Sequence, residues 1–220
     1  MGDELSKEIE VKICGISEST GLDAALECDA TYVGFVFFPP SPRAVTTEIA
    51  SELAKASEGR TKRVGLMVNP TDFEISEIIT KVPLDIIQLH GSETPERTSE
   101  IRRKFGLPII KAIPIATADD LNSSLKWGTS AGMLLFDAKP PSKPDSLPGG
   151  NAISFDWSLL ANQKLSNSWM LSGGLTQDNV KEAIRLTGAN AVDVSSGVES
   201  SRGVKDPDMI RAFIRAARNS

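Results

Sequence analysis

Short apolar runs rich in β-branched residues recur along the chain: IEVKIC (9–14), TYVGFVF (31–37), KRVGLMV (62–68), LDIIQLH (84–90), LPIIKAI (107–113), GMLLFDA (132–138), SWML (168–171) and NAVDVSS (190–196). Their length and composition predict eight buried strands. Between them lie stretches with apolar residues three and four apart, such as LDAALEC, TEIASELAKA, FEISEIITKV, PERTSEIRRKF, NVKEAIRLT and PDMIRAFIRAAR, which predict amphipathic helices. Strand followed by helix, eight times over, implies parallel pairing. An open doubly wound sheet gives the same alternation, but eight units of about 27 residues suit a closed (β/α)8 TIM barrel. Thr46, Asp72, Ser92 and Thr176 are candidate N-caps. The longest break, KPPSKPDSLPGGN (139–151), holds four prolines and two glycines and reads as an irregular lid after the sixth strand. The chain is expected to be one barrel domain over residues 1–220, with 1–8 as a polar N-terminal tail.

Composition narrows the partners. Lys and Arg number 24 against 29 Asp and Glu, a net charge of −5, so no basic field is available for a nucleic-acid backbone. Two cysteines are too few for a disulfide framework, and with a single histidine they lack the grouping of a zinc site, which suits a reducing cytoplasm. No apolar run reaches the roughly 18 residues of a membrane span. The expectation is a cytoplasmic protein acting on a small molecule, with no nucleic-acid or membrane partner, favoured as a monomer with a dimer as the alternative.

In a barrel, chemistry gathers where strands run into the loops that follow them. The polar strand-end residues are Cys14, Ser41 and Arg43, Asn69, His90, Asp137, Ser172 to Gly174, and Asp193 to Gly197. Glycines past strands seven and eight, with Ser196 beside Gly197, can turn backbone N–H groups toward a phosphate, aided by the N-terminus of a short extra helix. Cys14 is either a small core hydrophobe or a working thiol. Strand alternation puts Lys12 on its side, one layer below, where a cation favours thiolate. Asp193 becomes a neighbour of strand one when the barrel closes, so a buried Lys12–Asp193 pair is expected. Asp137 is a turn carboxylate or, among apolar flanks, an acid able to hold a proton, with Lys139 opposing that effect. Arg43, held by the prolines of PPSPR, decorates a rigid turn or receives a carboxylate. His90 shares a side with Gln88 and is either packed polar core or a substrate contact. Cys28 and the three tryptophans read as packing.

The motifs KICG (12–15), GFVFFPPSPR (34–43), QLHGSE (88–93), FDA (136–138), FDW (155–157), SGGL (172–175) with DNV (178–180), and DVSSGVE (193–199) with GVKD (203–206) closely resemble the phosphoribosylanthranilate isomerase family from end to end. The resemblance implies an aldose–ketose isomerase of tryptophan biosynthesis on a (β/α)8 barrel, needing neither cofactor nor metal. It implies Cys14 as general base and Asp137 as general acid. Arg43 would bind the anthranilate carboxylate, Gly173, Gly174, Ser196 and Gly197 the phosphate, and His90 and Asp193 would line the same pocket. One departure stands out: the family's GGTG or GGSG turn before FDW reads GGNA here, with Asn151 and Ala152 replacing small residues. A different sugar-phosphate isomerase or epimerase would share the phosphate loops without needing Arg43. A non-catalytic phosphosugar-binding barrel would not need Cys14 and Asp137.

Overall fold

Eight parallel strands pair in sequence order and close on themselves: β1 (Glu10–Cys14), β2 (Tyr32–Val36), β3 (Lys62–Met67), β4 (Ile86–Leu89), β5 (Ile109–Ile115), β6 (Met133–Ala138), β7 (Ser168–Leu171) and β8 (Ala191–Val194). The computed structural model describes residues 8–140, 147, 149–150, 154–161, 163, 165 and 167–220. Each predicted strand is present within two residues at either end. Closure is made by β8 against β1, with Lys12 in register with Asp193 and Ile13 with Val194.

Strand alternation sorts the residues into an inner and an outer set. Tyr32, Val64, Ile86, Ile110, Leu135, Met170 and Ala191 form one apolar cluster that fills the barrel, and Cys14, Val36 and Leu66 form a second. The alternate positions, including Val11, Ile13, Val33, Phe35 and Ile87, pack outward into a large core shared with the helices. This is the layering of a packed barrel interior, with polar groups admitted where the loops converge.

The helices are α1 (Ser19–Glu27), α2 (Thr47–Ala56), α3 (Asp72–Lys81), α4 (Pro95–Phe105), α5 (Ala118–Ser124), α6 (Val180–Thr187) and α7 (Pro207–Arg218). Among the described residues no α-helix lies between β6 and β7, contrary to the eightfold alternation expected. A short 3-10 turn, Trp157–Leu160, stands there after a connection crowded with proline and glycine, and Asp156 caps it. Thr46 caps α2 as expected. The cap of α3 is Thr71 rather than Asp72, because Thr71 and Glu74 form a reciprocal capping box, and Asp72 in the first turn pairs with Arg97 and Lys104. Thr94, followed by Pro95, caps α4 in place of Ser92, whose N–H donates to Asn69 instead. Thr176 opens a turn ahead of Asn179, and α6 starts only at Val180. After β8 the chain makes a 3-10 turn, Ser196–Val198, and a small antiparallel ribbon of β9 (Glu199–Ser201) and β10 (Val204–Lys205).

Candidate active site

Cys14 ends β1 inside the barrel and is 4% exposed. Lys12, two residues earlier and fully buried, donates to Asp193 Oδ1 at 2.8 Å, as alternation and closure predict. Asp193 Oδ2 accepts from Ser172 Oγ at 3.0 Å, so both carboxylate oxygens are engaged. Gly34 on β2 makes room for this stack: a Cβ there would stand 3.1 Å from Cys14 Sγ and 3.2 Å from Lys12 Nζ. Burial alone would lower the pKa of Lys12, but Asp193 and Cys14 hold it above its ordinary value. For Cys14 the balance runs the other way. Burial, joined by the Asp193 carboxylate, pushes the thiol up, while Lys12, as expected, and Lys205 pull it down.

Asp137, near the end of β6, is 7% exposed. Its Oδ1 accepts from the N–H of Ala138 at 2.8 Å, and its Oδ2 lies 3.3 Å from His90 Nε2. The setting is therefore more polar than its apolar flanks suggest. Lys139, expected to act on Asp137, turns outward to Asp120 at 3.1 Å. His90 lies against both Asp137 and Gln88: Gln88 Nε2 and His90 Nδ1 are 3.0 Å apart, so the pair shares a side as alternation predicts. Asn69 has a structural task. Its Oδ1 accepts from Ser92, and its N–H donates to Glu93, which Lys111 also holds, so these groups fix the loop carrying His90.

Arg43 is buried, and its fork is already half occupied. Nε donates to Glu199 Oε1 at 2.7 Å and Nη2 to Glu199 Oε2 at 2.9 Å, while Nη2 also reaches the Gly150 carbonyl at 3.4 Å. Ser41 Oγ accepts from the Arg43 N–H, fixing the turn. Cys14, Arg43, His90 and Gly149 line one cavity, and Asp137, Gly173, Ser196 and Gly197 line an adjoining one; Ser195 belongs to both. Gly173 and Gly174 take φ of +90° and +64°, a backbone region that glycine enters freely. Among the described residues their N–H groups donate to no protein acceptor, which leaves them for an anion. A Cβ on Gly173 would meet Ala138 N at 2.8 Å, and one on Gly197 would collide with the Leu175 carbonyl, so both turns require the bare backbone. Asn151 and Ala152 lie outside the described residues.

Glu199 and Lys205 were not singled out in the sequence, whereas Ser195 lies in the strand-end run Asp193 to Gly197. Lys205 donates to Glu199 Oε1 at 2.7 Å and to the Ser195 carbonyl at 2.9 Å, and Ser195 Oγ donates to the Cys14 carbonyl at 3.0 Å. Glu199 and Lys205 sit inside the motifs DVSSGVE (193–199) and GVKD (203–206). Their opposite charges were the available signal, but only the β9–β10 ribbon brings them under Arg43.

A family model described as N-(5'-phosphoribosyl)anthranilate (PRA) isomerase matches residues 11–216. The N-(5'-phosphoribosyl)anthranilate isomerase of Paramagnetospirillum magneticum is 55% identical over 210 residues, 96% of this chain and 97% of that protein. The crystal structure of phosphoribosyl anthranilate isomerase from Thermotoga maritima superposes with a TM-score of 0.86 at 35% identity, covering 96% of this chain and all of that one. A crystal structure of a phosphoribosyl anthranilate isomerase in complex with reduced 1-(o-carboxyphenylamino)-1-deoxyribulose 5-phosphate matches with a TM-score of 0.81 at 32% identity, covering 96% and 100%. A closed barrel carrying a thiol on β1, a carboxyl on β6 and open glycine turns after β7 and β8, with matches that span nearly its whole length, belongs to the phosphoribosylanthranilate isomerase family.

Proposed function

We propose that Asp137 and Cys14 carry the two proton transfers of the Amadori rearrangement that membership in this family assigns to the chain. In that reaction N-(5-phosphoribosyl)anthranilate becomes 1-(2-carboxyphenylamino)-1-deoxyribulose 5-phosphate, in tryptophan biosynthesis. With Asp137 Oδ1 engaged by Ala138, Oδ2 is the oxygen that delivers a proton to the furanose ring oxygen. The anthranilate nitrogen then pushes the ring open to an iminium, and Cys14 removes the C2′ proton. The iminium nitrogen accepts the electron pair, giving an enolamine that tautomerises to the ketone, so no step of the scheme draws on a cofactor.

Arg43 receives the anthranilate carboxylate, and Gly173, Gly174, Ser196 and Gly197 receive the phosphate. Asp193 acts from below as the partner of Lys12, and His90 contacts both acid and substrate. The observation that carries this reading is the arrival of Cys14, Arg43, Asp137 and both glycine turns at adjoining cavities on one barrel mouth. Loss of phosphoribosylanthranilate fluorescence is the test. Turnover by the purified chain and its loss in Cys14→Ser and Asp137→Asn are expected; full activity in both variants would contradict the assignment of roles.

Among the described residues no helix is long and apolar enough to cross a membrane. Among the described residues the large apolar side chains left exposed, Ile49, Phe73, Leu125, Leu186 and Val204, sit on five different elements rather than one face of one helix. The scatter of these side chains supports a monomer. Sedimentation at micromolar concentration tests the monomer, and a dimer mass would overturn it.

A further inference from the structure

Arg43, Glu199 and Lys205 form a buried cluster whose charges do not cancel. The Glu199 side chain is 4% exposed and that of Lys205 is 0%. The carboxylate takes four donors: Arg43 Nε and Nη2, Lys205 Nζ at 2.7 Å, and the N–H of Gly203 at 3.0 Å. Lys205 Nζ has three acceptors, namely Glu199 Oε1, the Ser195 carbonyl, and Ser195 Oγ at 3.3 Å, which uses every N–H of an ammonium. The Ser195 hydroxyl, accepting from Lys205, passes its own hydrogen to the Cys14 carbonyl. Two cations and one anion leave one positive charge in excess, and a buried charge without a partner is costly. The free donors belong to Arg43 Nη1, which among the described residues donates to no acceptor.

We infer that Glu199 is the specificity-positioning residue of this site: by holding the Nε and Nη2 edge of Arg43, which lines the Cys14 cavity, it leaves Nη1 as the one free edge of a fixed fork, the receptor for one aromatic carboxylate. An arginine left free presents several donor edges to solvent and adopts many rotamers; one clamped along a single edge presents the remaining donors in a fixed direction. The cluster's surplus charge makes an incoming carboxylate the neutralising partner, so the site discriminates for a carboxylated aniline and against one without the carboxylate. Lys205 keeps Glu199 ionised and in place, and through Ser195 it ties the clamp to the backbone of Cys14. Glu199 touches no reacting atom in this arrangement. Its effect passes through Arg43.

The inference rests on Arg43 being the carboxylate receptor, and the test separates the two claims. Calorimetry would compare two inert ligands, reduced 1-(2-carboxyphenylamino)-1-deoxyribulose 5-phosphate and its phenylamino counterpart lacking the carboxylate. Each would be titrated into wild type, R43A, E199Q and the charge-balanced double variant E199Q/K205M, which restores one net positive charge if E199Q folds poorly. Wild type is expected to prefer the carboxylated ligand by about tenfold or more, as a charge-assisted fork contact should. R43A should abolish that preference. E199Q or the double variant should cut it by about threefold or more while the Kd of the phenylamino ligand stays within about twofold, because the clamp acts only on the carboxylate receptor. An unchanged preference in the Glu199 variants beside its loss in R43A would overturn the inference and leave the receptor standing. Equal weakening of both ligands would show a merely structural Glu199 and overturn it as well. A preference that survives R43A would remove the receptor and the inference together.

Discussion

Lys12 and Asp193 meet at 2.8 Å inside the barrel, one from the first strand and one from the last, so the ion pair lies across the seam where the barrel closes. Lys12 is fully buried, and breaking such a pair leaves an uncompensated charge in an apolar interior. Lys12→Met is therefore expected to destabilise the protein by about 3–5 kcal/mol. The double variant Lys12→Met with Asp193→Asn should recover a large part of that loss, since neither charge is then stranded. Denaturant unfolding of wild type, Lys12→Met, Asp193→Asn and the double variant checks this, and additive losses would show that the pair is not coupled.

Asp137→Asn removes the proton that opens the furanose ring while keeping the size of the side chain. The fall in kcat is expected at about 10²- to 10⁴-fold, the usual worth of a general acid, with KM moved far less. His90→Asn removes the neighbour 3.3 Å from Oδ2 and leaves the acid itself in place. Its loss in kcat should be clearly smaller. Steady-state kinetics on both variants rank the two groups, and an equal loss would mean that His90 itself transfers the proton.

Gly173→Ala attacks the phosphate turn at a position with φ of +90°, where an added Cβ would stand 2.8 Å from Ala138 N. That N–H donates to Asp137 Oδ1, so the clash touches acid and phosphate site together. The variant should weaken competitive inhibition by inorganic phosphate by about tenfold and lower kcat as well, because strain at such a position is of order 1–3 kcal/mol. Unchanged phosphate inhibition would place the anion elsewhere.

Glu199 couples the site to acid stability. Burial opposes its ionisation, but Arg43, Lys205 and the Gly203 N–H together hold its carboxyl below the usual range. A depressed folded value contributes stability that is present above the unfolded pKa of about 4.3 and is lost as pH falls through the lower folded value. The Tm of Glu199→Gln should therefore decline less steeply than that of wild type below about pH 4.3. Parallel acid limbs in the two Tm profiles would contradict this.

The barrel was readable from period and count, since eight short β-branched runs separated by helical spacing admit few other arrangements. The Lys12–Asp193 pair was also readable, because alternation and closure alone bring those two side chains together. Local capping was read less well. Thr71 and Thr94 outcompete the neighbouring Asp72 and Ser92 through a capping box in one case and a following proline in the other. The clamp on Arg43 depends on the β9–β10 ribbon folding Glu199 and Lys205 back under a residue more than 150 positions away, which no local pattern encodes. The ionisation of Cys14 was not legible for a related reason, since it depends on how deeply the fold buries the thiol. Lys12 acts in the direction expected, while burial and Asp193 act against it and leave the thiol raised.

Cys14 is the group on which the C2′ proton transfer turns. A base that must first lose a proton from a raised pKa makes kcat/KM climb with pH across and above the ordinary thiol range near 8.5, about tenfold per pH unit on the limb. The most direct measurement is the pH profile of kcat/KM for wild type and Cys14→Ser on phosphoribosylanthranilate. The account predicts this rising alkaline limb in wild type and its disappearance, along with most of the activity, in the serine variant. A limb that persists unchanged in Cys14→Ser would show that another group takes the C2′ proton.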